Sequence, residues 1–491
     1  MELKPSLSEF KLLARQGNLI PLHHEFLSDT ETPVSAYLKI RDRSFSYLLE
    51  SSDSGTTRGR YSYIGYRPFV VVISRKDDVE VAEKNGRSIL KGDENPLLIL
   101  RELNRKFRPV GFRGLSPFRG GFVGYCNYSL VRKWENLRYI VPEEANLPEA
   151  IFTLCRRLII FDHVTHHVKV VAFIHLTGGE DLEGVYLSAC LDIHETIGEL
   201  RLPTEHPSEG DTTIVSPLEA DSSREDFEEA VRRAKRHIVA GDVIQVVLSQ
   251  RFSGKVNGDG FTIYRNLRSI NPAPYLFYLN FGEVKLIGSS PEILVRLVDR
   301  RIELRPIAGT RQRGKTPAED VDLERELVSD PKERAEHVML VDLGRNDVGK
   351  AAMPGSVSVP RLMYVERCSH VMHIVSTVQG LLKTDMDAFD LFMATFPAGT
   401  VTGAPKIRAM EIIGELESTQ RGPYAGAVGY FGFDGNMDFC ITIRTIAIIG
   451  QWLSVQAGAG IVADSVPEKE YEETLRKAAA MFKAVARVSE R

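Results

Sequence analysis

Residues 222–250 read SSREDFEEAVRRAKRHIVAGDVIQVVLSQ, an amphipathic run followed at once by a strand-like one. Ser222 and Glu225 have the Ser-x-x-Glu spacing of a capping box. Phe227, Val231, Ala234 and Ile238 follow at intervals of four, three and four, which places them on one helical face. Beyond Gly241, Val243 to Leu248 has the length and apolar character of a buried strand. Further strands are expected at Tyr275 to Asn280 and Val284 to Ile287, and further helices over Pro331 to Leu343 and from Pro467 to the end. Strands follow strands without regular strand–helix–strand alternation. The expected class is therefore α+β, with helices packed on largely antiparallel β-sheets.

Immediately upstream, Pro203 to Ser223 collects Pro, Ser, Thr, Gly and acids with little periodicity, as a connector would. It divides the chain into an N-terminal domain over 1–202, a connector over 203–221 and a second domain over 222–491, the two domains being closely associated. A length of 491 residues accommodates this at roughly 150 residues per domain. Strand-like stretches such as Phe69 to Ser74 and Leu158 to Phe161 populate the first part. One short echo links the halves: Gly120-Gly-Phe-Val-Gly-Tyr125 and Ala425-Gly-Ala-Val-Gly-Tyr430. It is either the trace of a repeat or two Gly-containing strands that allow close backbone approach.

Composition excludes several classes. The 62 basic residues face 66 acidic ones, for a net charge of −4, and no segment concentrates Lys and Arg as a nucleic-acid footprint requires. The five cysteines (Cys126, Cys155, Cys190, Cys368, Cys440) are far apart and never in a C-x-x-C pair, against both a disulfide framework and a zinc knuckle. Apolar runs fall well below the roughly 20 residues that span a bilayer, and MELKPSLSEF lacks the apolar core of a signal peptide. A cytoplasmic location is expected, with no membrane and no nucleic-acid partner.

The densest chemistry lies in Asp330-Pro-Lys-Glu-Arg-Ala-Glu-His337 and the residues after it. Pro331 suits a first helical turn, and Glu333, Glu336 and Leu340 then fall at i, i+3 and i+7 on one face. These acids are either first-turn carboxylates favoured by the helix dipole or part of a site. Glu470, Glu473 and Lys477 repeat the same spacing on the final helix. Paired carboxylates from two helices suit a hard cation such as Mg²⁺, which takes one or two carboxylates and fills its remaining positions with water and an anionic substrate. Between these helices, Gly399-Thr-Val-Thr-Gly-Ala-Pro-Lys406 is not a nucleotide loop, because the lysine comes three residues after the second glycine and Ile407 follows it. An anion-binding turn is one reading that survives, as it is for Ala457-Gly-Ala-Gly460, and an ordinary tight turn is the alternative for both. His373 lies among apolar residues, either as a satisfied buried imidazole or as a neutral general base. His163, His166 and His167 read as a surface strand or turn rather than a metal site.

In this order, the segments resemble the chorismate-utilising enzymes, and most closely the branch that makes anthranilate. The matches run from Leu48-Leu-Glu-Ser51 through Asn271-Pro-Ala-Pro-Tyr275, Ser290-Pro-Glu292, Pro306-Ile-Ala-Gly-Thr310, the Glu333 helix with Arg345-Asn-Asp347, His373, Gly399 to Met410, Arg444 and Gly458-Ala-Gly460 to the final helix. The resemblance implies amination of chorismate by ammonia at C2, followed by pyruvate elimination. It implies Mg²⁺ on Glu336 and Glu473, with Gly309, Thr310 and the backbone of Gly458, Ala459 and Gly460 around the ring and its carboxylate. Tyr424, Arg444 and Lys477 would hold the enolpyruvyl side, where the planar guanidinium matches a carboxylate. Glu333 would be the acid for the C4 hydroxyl, His373 the base at C2, and Thr400 an orienting group.

Two positions discriminate within the family. Ala308 stands where some aminodeoxychorismate synthases carry a nucleophilic lysine, and Gln245 where water-using members carry a lysine base. Both favour ammonia as the nucleophile. An enzyme that stops at the aminated intermediate is the alternative. No glutaminase cysteine motif is present, so a separate glutamine amidotransferase subunit is implied as ammonia source. Glu50, Ser51, Pro274, Tyr275 and Leu276 resemble a tryptophan feedback site between the domains.

Overall fold

The computed structural model describes residues 2–40, 44–52, 59–76, 78–83, 86–92, 94–112, 114–138, 147–204, 212–367 and 371–490. Its named strands pair antiparallel throughout, in keeping with the α+β expectation. In the first half, Tyr61–Arg75 runs against Ala150–Asp162, which also pairs with His167–His175 and with Gly121–Cys126. In the second half, Tyr275–Phe281, Val284–Ser290, Thr445–Ile449, Trp452–Ile461 and Gln245–Gly258 form a continuous ladder.

Two ladders join the halves. Ser46–Glu50 pairs with Tyr275–Phe281, and Gly121–Cys126 pairs with Ala427–Gly432. The second of these is the sequence echo itself, with Gly124 opposite Gly429. Both glycines sit where a side chain has no room: an added Cβ would strike the Ile151 carbonyl at Gly124 and the Asp438 carbonyl at Gly429. Close backbone approach explains the echo.

One core packs on these strands and is rich in phenylalanine rings in contact, including Phe152, Phe389, Phe392, Phe431 and Phe439. A second lies under the helices Leu182–Arg201, Phe261–Ile270 and Pro467–Ser489. The final helix contributes Ala478, Met481, Ala484 and Val485 to it, at helical spacing.

Local details differ from expectation in physically clear ways. The helix begins one residue later than its sequence signal, with Ser223 as N-cap and Asp226 closing the capping box. A shorter acid does the work expected of Glu225. Residues 205–211 of the expected connector lie outside the described residues, but Thr212–Ala220 is a strand on Gln245–Gly258. Its alternating burial is the period-two pattern of a strand with one covered face. The helix that starts at Pro331 extends to Ala351, beyond the expected Leu343.

Gly124→Ala is expected to destabilise the protein by about 1–3 kcal/mol, the usual range for forcing a methyl group into filled space. A lower urea midpoint with unchanged secondary structure would show this; an unchanged midpoint would remove the tight ladder as a constraint.

Candidate active site

The helix Pro331–Ala351 packs on the strands Ile307–Gln312 and Val371–Leu381, and the final helix packs on Trp452–Ile461. Asp330 caps the first helix, accepting from the Lys332 and Glu333 amides. Glu336 is shielded from water, and burial, reinforced by the charges of Glu333 and Glu473, raises its pKa above the ordinary carboxylate range. Burial likewise raises Glu470. Lys477 Nζ lies 2.7 Å from Glu473 and donates to the Gly458 carbonyl at 3.0 Å, tying the final helix to the strand it covers.

His373 pairs in register with Thr310. Its Nδ1 is 3.0 Å from the Thr310 hydroxyl and 3.2 Å from the Gly309 carbonyl. A carbonyl only accepts, so the proton belongs on Nδ1 in that contact and Nε2 keeps its lone pair. Burial lowers the His373 pKa, which favours the neutral imidazole that a general base requires. Gly309 has φ of +68°, and an added Cβ would stand 3.1 Å from Glu333 Oε2. Glycine is needed there both for the backbone and for the space.

Tyr424 is buried, its pKa pushed up to about 12 by desolvation, and its hydroxyl would lie 2.5 Å from a Cβ at Gly458. Arg444 adopts φ of +51°. Its guanidinium is largely enclosed and forms no hydrogen bond or ion pair among the described residues. Burial alone pulls its pKa below that of ordinary arginine. An enclosed cation without a counter-charge is costly and forms a ready receptor for an anion. Gly460 lies under the Gln245 side chain, and Gln245 Oε1 is buried without a partner among the described residues. Ala459 is fully buried in the opposite-facing apolar cluster, so only its backbone can serve the site.

Glu292 was assigned no role by sequence, yet its position is distinctive. It is buried at the Ser290-Pro-Glu turn, and burial raises its pKa to about 7, opposed by the Thr400 hydroxyl and the charge of Lys477. The signal was available as a lone carboxyl between apolar strands. Glu333, expected to be the acid, accepts from Arg311 Nη1 at 3.1 Å.

The residues expected to bind an inhibitor also come together, away from this cluster. Leu276 pairs with Glu50, and the Ser52 amide donates to the Ala273 carbonyl. Glu50 is buried and accepts from Tyr264 at 2.5 Å and from Arg268 at 2.8 and 3.0 Å. Tyr275 donates to Asp438 at 2.8 Å. His163 contacts Ser62 at 2.7 Å. Among the described residues no group of three or more His, Cys, Asp or Glu side chains forms a complete metal cage, and no helix is long and apolar enough to cross a membrane.

A chorismate binding enzyme family profile matches residues 46–483. Anthranilate synthase component 1 of Aquifex aeolicus is 48% identical over 99% of this chain and 98% of its own length; that of Acetivibrio thermocellus is 46% identical over 99% of both. The crystal structure of anthranilate synthase component I from Streptococcus pneumoniae superimposes with a TM-score of 0.74 at 38% identity, covering 86% of this chain and 92% of that one. The chain belongs to the chorismate binding enzyme family. It is an enzyme of that family, similar along nearly its whole length to the first components of anthranilate synthase.

A carboxyl whose pKa is raised by folding favours its protonated form, so the stability it confers is present at low pH and is lost as pH rises through the folded pKa. Glu336→Gln is therefore expected to raise the unfolding midpoint of metal-free protein above the ordinary carboxylate range, with the gain vanishing in acid. Parallel melts across pH check this; a midpoint no higher than wild type at neutral pH would contradict the crowded-carboxylate reading.

Proposed function

We propose that this protein is the large subunit of an anthranilate synthase, converting chorismate and ammonia into anthranilate, pyruvate and water. The observation that carries the reading is the largely enclosed guanidinium of Arg444 beside Tyr424, which no hydrogen bond or ion pair among the described residues neutralises. A substrate with one carboxylate on its ring and a second on an enolpyruvyl side chain suits such a cation together with a metal held by carboxylates. The two-helix arrangement suits Mg²⁺: Glu336 and Glu473 gather negative charge from separate helices and leave the remaining positions to water and substrate. When bound, the ion would offset the charge between these glutamates and a substrate carboxylate.

Arg444, Tyr424 and Lys477 hold the enolpyruvyl side, while Gly309, Thr310 and the backbone of Gly458, Ala459 and Gly460 accommodate the ring and its carboxylate. Ammonia forms a bond to C2 as the ring double bonds shift and the C4 hydroxyl leaves as water. We give the proton for that departure to Glu292 rather than Glu333. Burial raises the Glu292 pKa to about 7, which favours its protonated form, whereas Glu333 is engaged by Arg311. Thr400 orients the substrate beside Glu292. His373 then takes the C2 proton, the C3–O bond breaks, and pyruvate departs as the ring becomes aromatic. The unpartnered Gln245 oxygen suits an N–H donor, which supports ammonia as nucleophile; Ala308 offers no nucleophile of its own.

The ammonia source is a separate glutamine amidotransferase subunit, in keeping with the component 1 relatives, and the enzyme is cytoplasmic. Glu50, Ser51, Pro274, Tyr275 and Leu276, on the ladder joining the N-terminal part to the second half, form the tryptophan feedback site. That ladder supports a coupling route: Tyr275 pairs with Ser290, two residues before Glu292, and the Ser289 amide donates to the Arg444 carbonyl.

The purified chain with chorismate, Mg²⁺ and ammonium should produce anthranilate and pyruvate, followed by fluorescence and mass. An aminated product that keeps its enolpyruvyl group would replace this reading with the amination-only one. His373→Ala is expected to accumulate that aminated intermediate, whereas Glu292→Gln should slow turnover about 100-fold or more without accumulating it; the reverse pattern would exchange their roles. Ser51→Phe should retain turnover and lose tryptophan inhibition, and unchanged inhibition would place the effector elsewhere.

A further inference from the structure

The Gly399–Lys406 segment ends in a lysine that neither the substrate nor a nucleotide explains. Lys406 opens the helix Lys406–Leu416, and its side chain is only 10% exposed. Its Nζ stands 2.7 Å from Asp347 Oδ2 and donates to the Thr395 carbonyl at 3.1 Å. Asp347, 6% exposed, also faces the half-exposed Lys350 at 3.3 Å. Asp347 lies on the helix that carries Glu333 and Glu336, and Thr395 ends the helix Ala388–Thr395. One ammonium therefore joins three helices. The turn Gly399–Val401 runs between the two attachment points Thr395 and Lys406, and it carries Thr400.

The turn is also pressed onto the Glu336 helix. A Cβ at Gly399 would lie 2.9 Å from Leu343 Cδ1, so the backbone there approaches that helix as closely as glycine allows. Behind the turn is a cavity of about 40 Å³ whose walls include Glu292, Asp347, Thr400 and Arg305. The pair and the acid thus flank one small space, with Thr400 between them. A surface ion pair contributes little to stability, but a buried one is strongly oriented, and removing one partner leaves an uncompensated charge.

We propose that the Lys406–Asp347 pair is a positioning clamp: it fixes the Gly399–Val401 turn on the Glu336 helix so that the Thr400 hydroxyl, buried and without a hydrogen-bond partner among the described residues, is kept beside Glu292 on the wall of the same cavity. Neither clamp residue touches substrate. The inference rests on the proposed roles of Glu292 and Thr400. The groups facing Glu292 are the Thr400 hydroxyl, Lys477 from the final helix, and Arg305 and Asp347 across the cavity. The nearby Thr400 hydroxyl lowers the Glu292 pKa, so releasing the turn that carries it along the cavity wall should move the alkaline limb of the rate profile to higher pH.

The test compares wild type, Lys406→Met, Lys406→Arg, Asp347→Asn and Thr400→Val in the full chain, with chorismate, Mg²⁺ and a fixed concentration of free ammonia at each pH. Lys406→Met and Asp347→Asn are expected to lose kcat about 10- to 100-fold per folded molecule, a displacement-sized penalty, with the KM for chorismate within about threefold of wild type. Both should shift the alkaline limb upward, in the direction of Thr400→Val, and Lys406→Arg should recover most of kcat. Asp347→Asn keeps the side-chain shape, so it carries the test if Lys406→Met does not fold.

Wild-type kcat and an unmoved limb in the folded variants would overturn the clamp, as would activity lost only in proportion to folded protein. Failure of both variants to fold would make the pair structural instead and overturn it too. A Thr400→Val enzyme equal to wild type would leave the clamp nothing to position and would likewise overturn it. A wild-type chain that does not turn over chorismate would instead remove the proposed function itself.

Discussion

The antiparallel ladder between Gly121–Cys126 and Ala427–Gly432 binds the early chain to the late one through backbone alone. With Gly124 facing Gly429, the strands and their neighbours approach more closely than side chains permit. The phenylalanine-rich core depends on that approach, because Phe122, Phe152, Phe431 and Phe439 all come from these strands and their partners. Close packing makes such an interior intolerant of even one added methyl group. Residues more than 300 positions apart in sequence thereby become a single scaffold.

On that scaffold, charge is distributed unevenly by the course of the backbone. Carboxylates from two helices crowd one side, where burial raises Glu336 and Glu470. Lys477 bridges the crowd to the strand carrying Gly458. Arg444 has a left-handed backbone conformation and lacks a counter-charge among the described residues. The arrangement is electrostatically incomplete, and the proposed dianionic substrate with a divalent cation would complement it. Glu292 adds a carboxyl poised near neutrality, made so by burial in the scaffold itself.

The Glu50 cluster, the proposed effector site, and the catalytic cluster share strands rather than side chains. Glu50 sits on one joining ladder; the neighbouring strand reaches Ser290 and the Pro-Glu turn. Small changes in that ladder have a short covalent path to Glu292 and, through Ser289, to the backbone of Arg444. This gives the proposed feedback a physical route without requiring the effector to approach the substrate.

Much of this was readable in order along the chain. Periodicity identified the helices at 222–238, 331 onward and 467 onward, because apolar spacing of three and four residues is a local property. The spacing of Glu333 and Glu336, and of Glu470, Glu473 and Lys477, predicted shared helical faces for the same reason. Motif order was enough to recognise the family. Local signals failed where energies are set by distant neighbours. The Arg311 contact of Glu333 and the burial of Glu292 are not encoded by spacing. The strand in the expected connector exists because Gln245–Gly258 offers it an edge, and Lys406 acquires a purpose only when Asp347 and Thr395 arrive beside it. Sequence by itself specified the elements, the family and most candidate groups, since these follow from short-range pattern. Pairing, desolvation and the raised carboxyl of Glu292 came only with the assembled fold, since electrostatic environment is a sum over residues that the chain brings together from far apart.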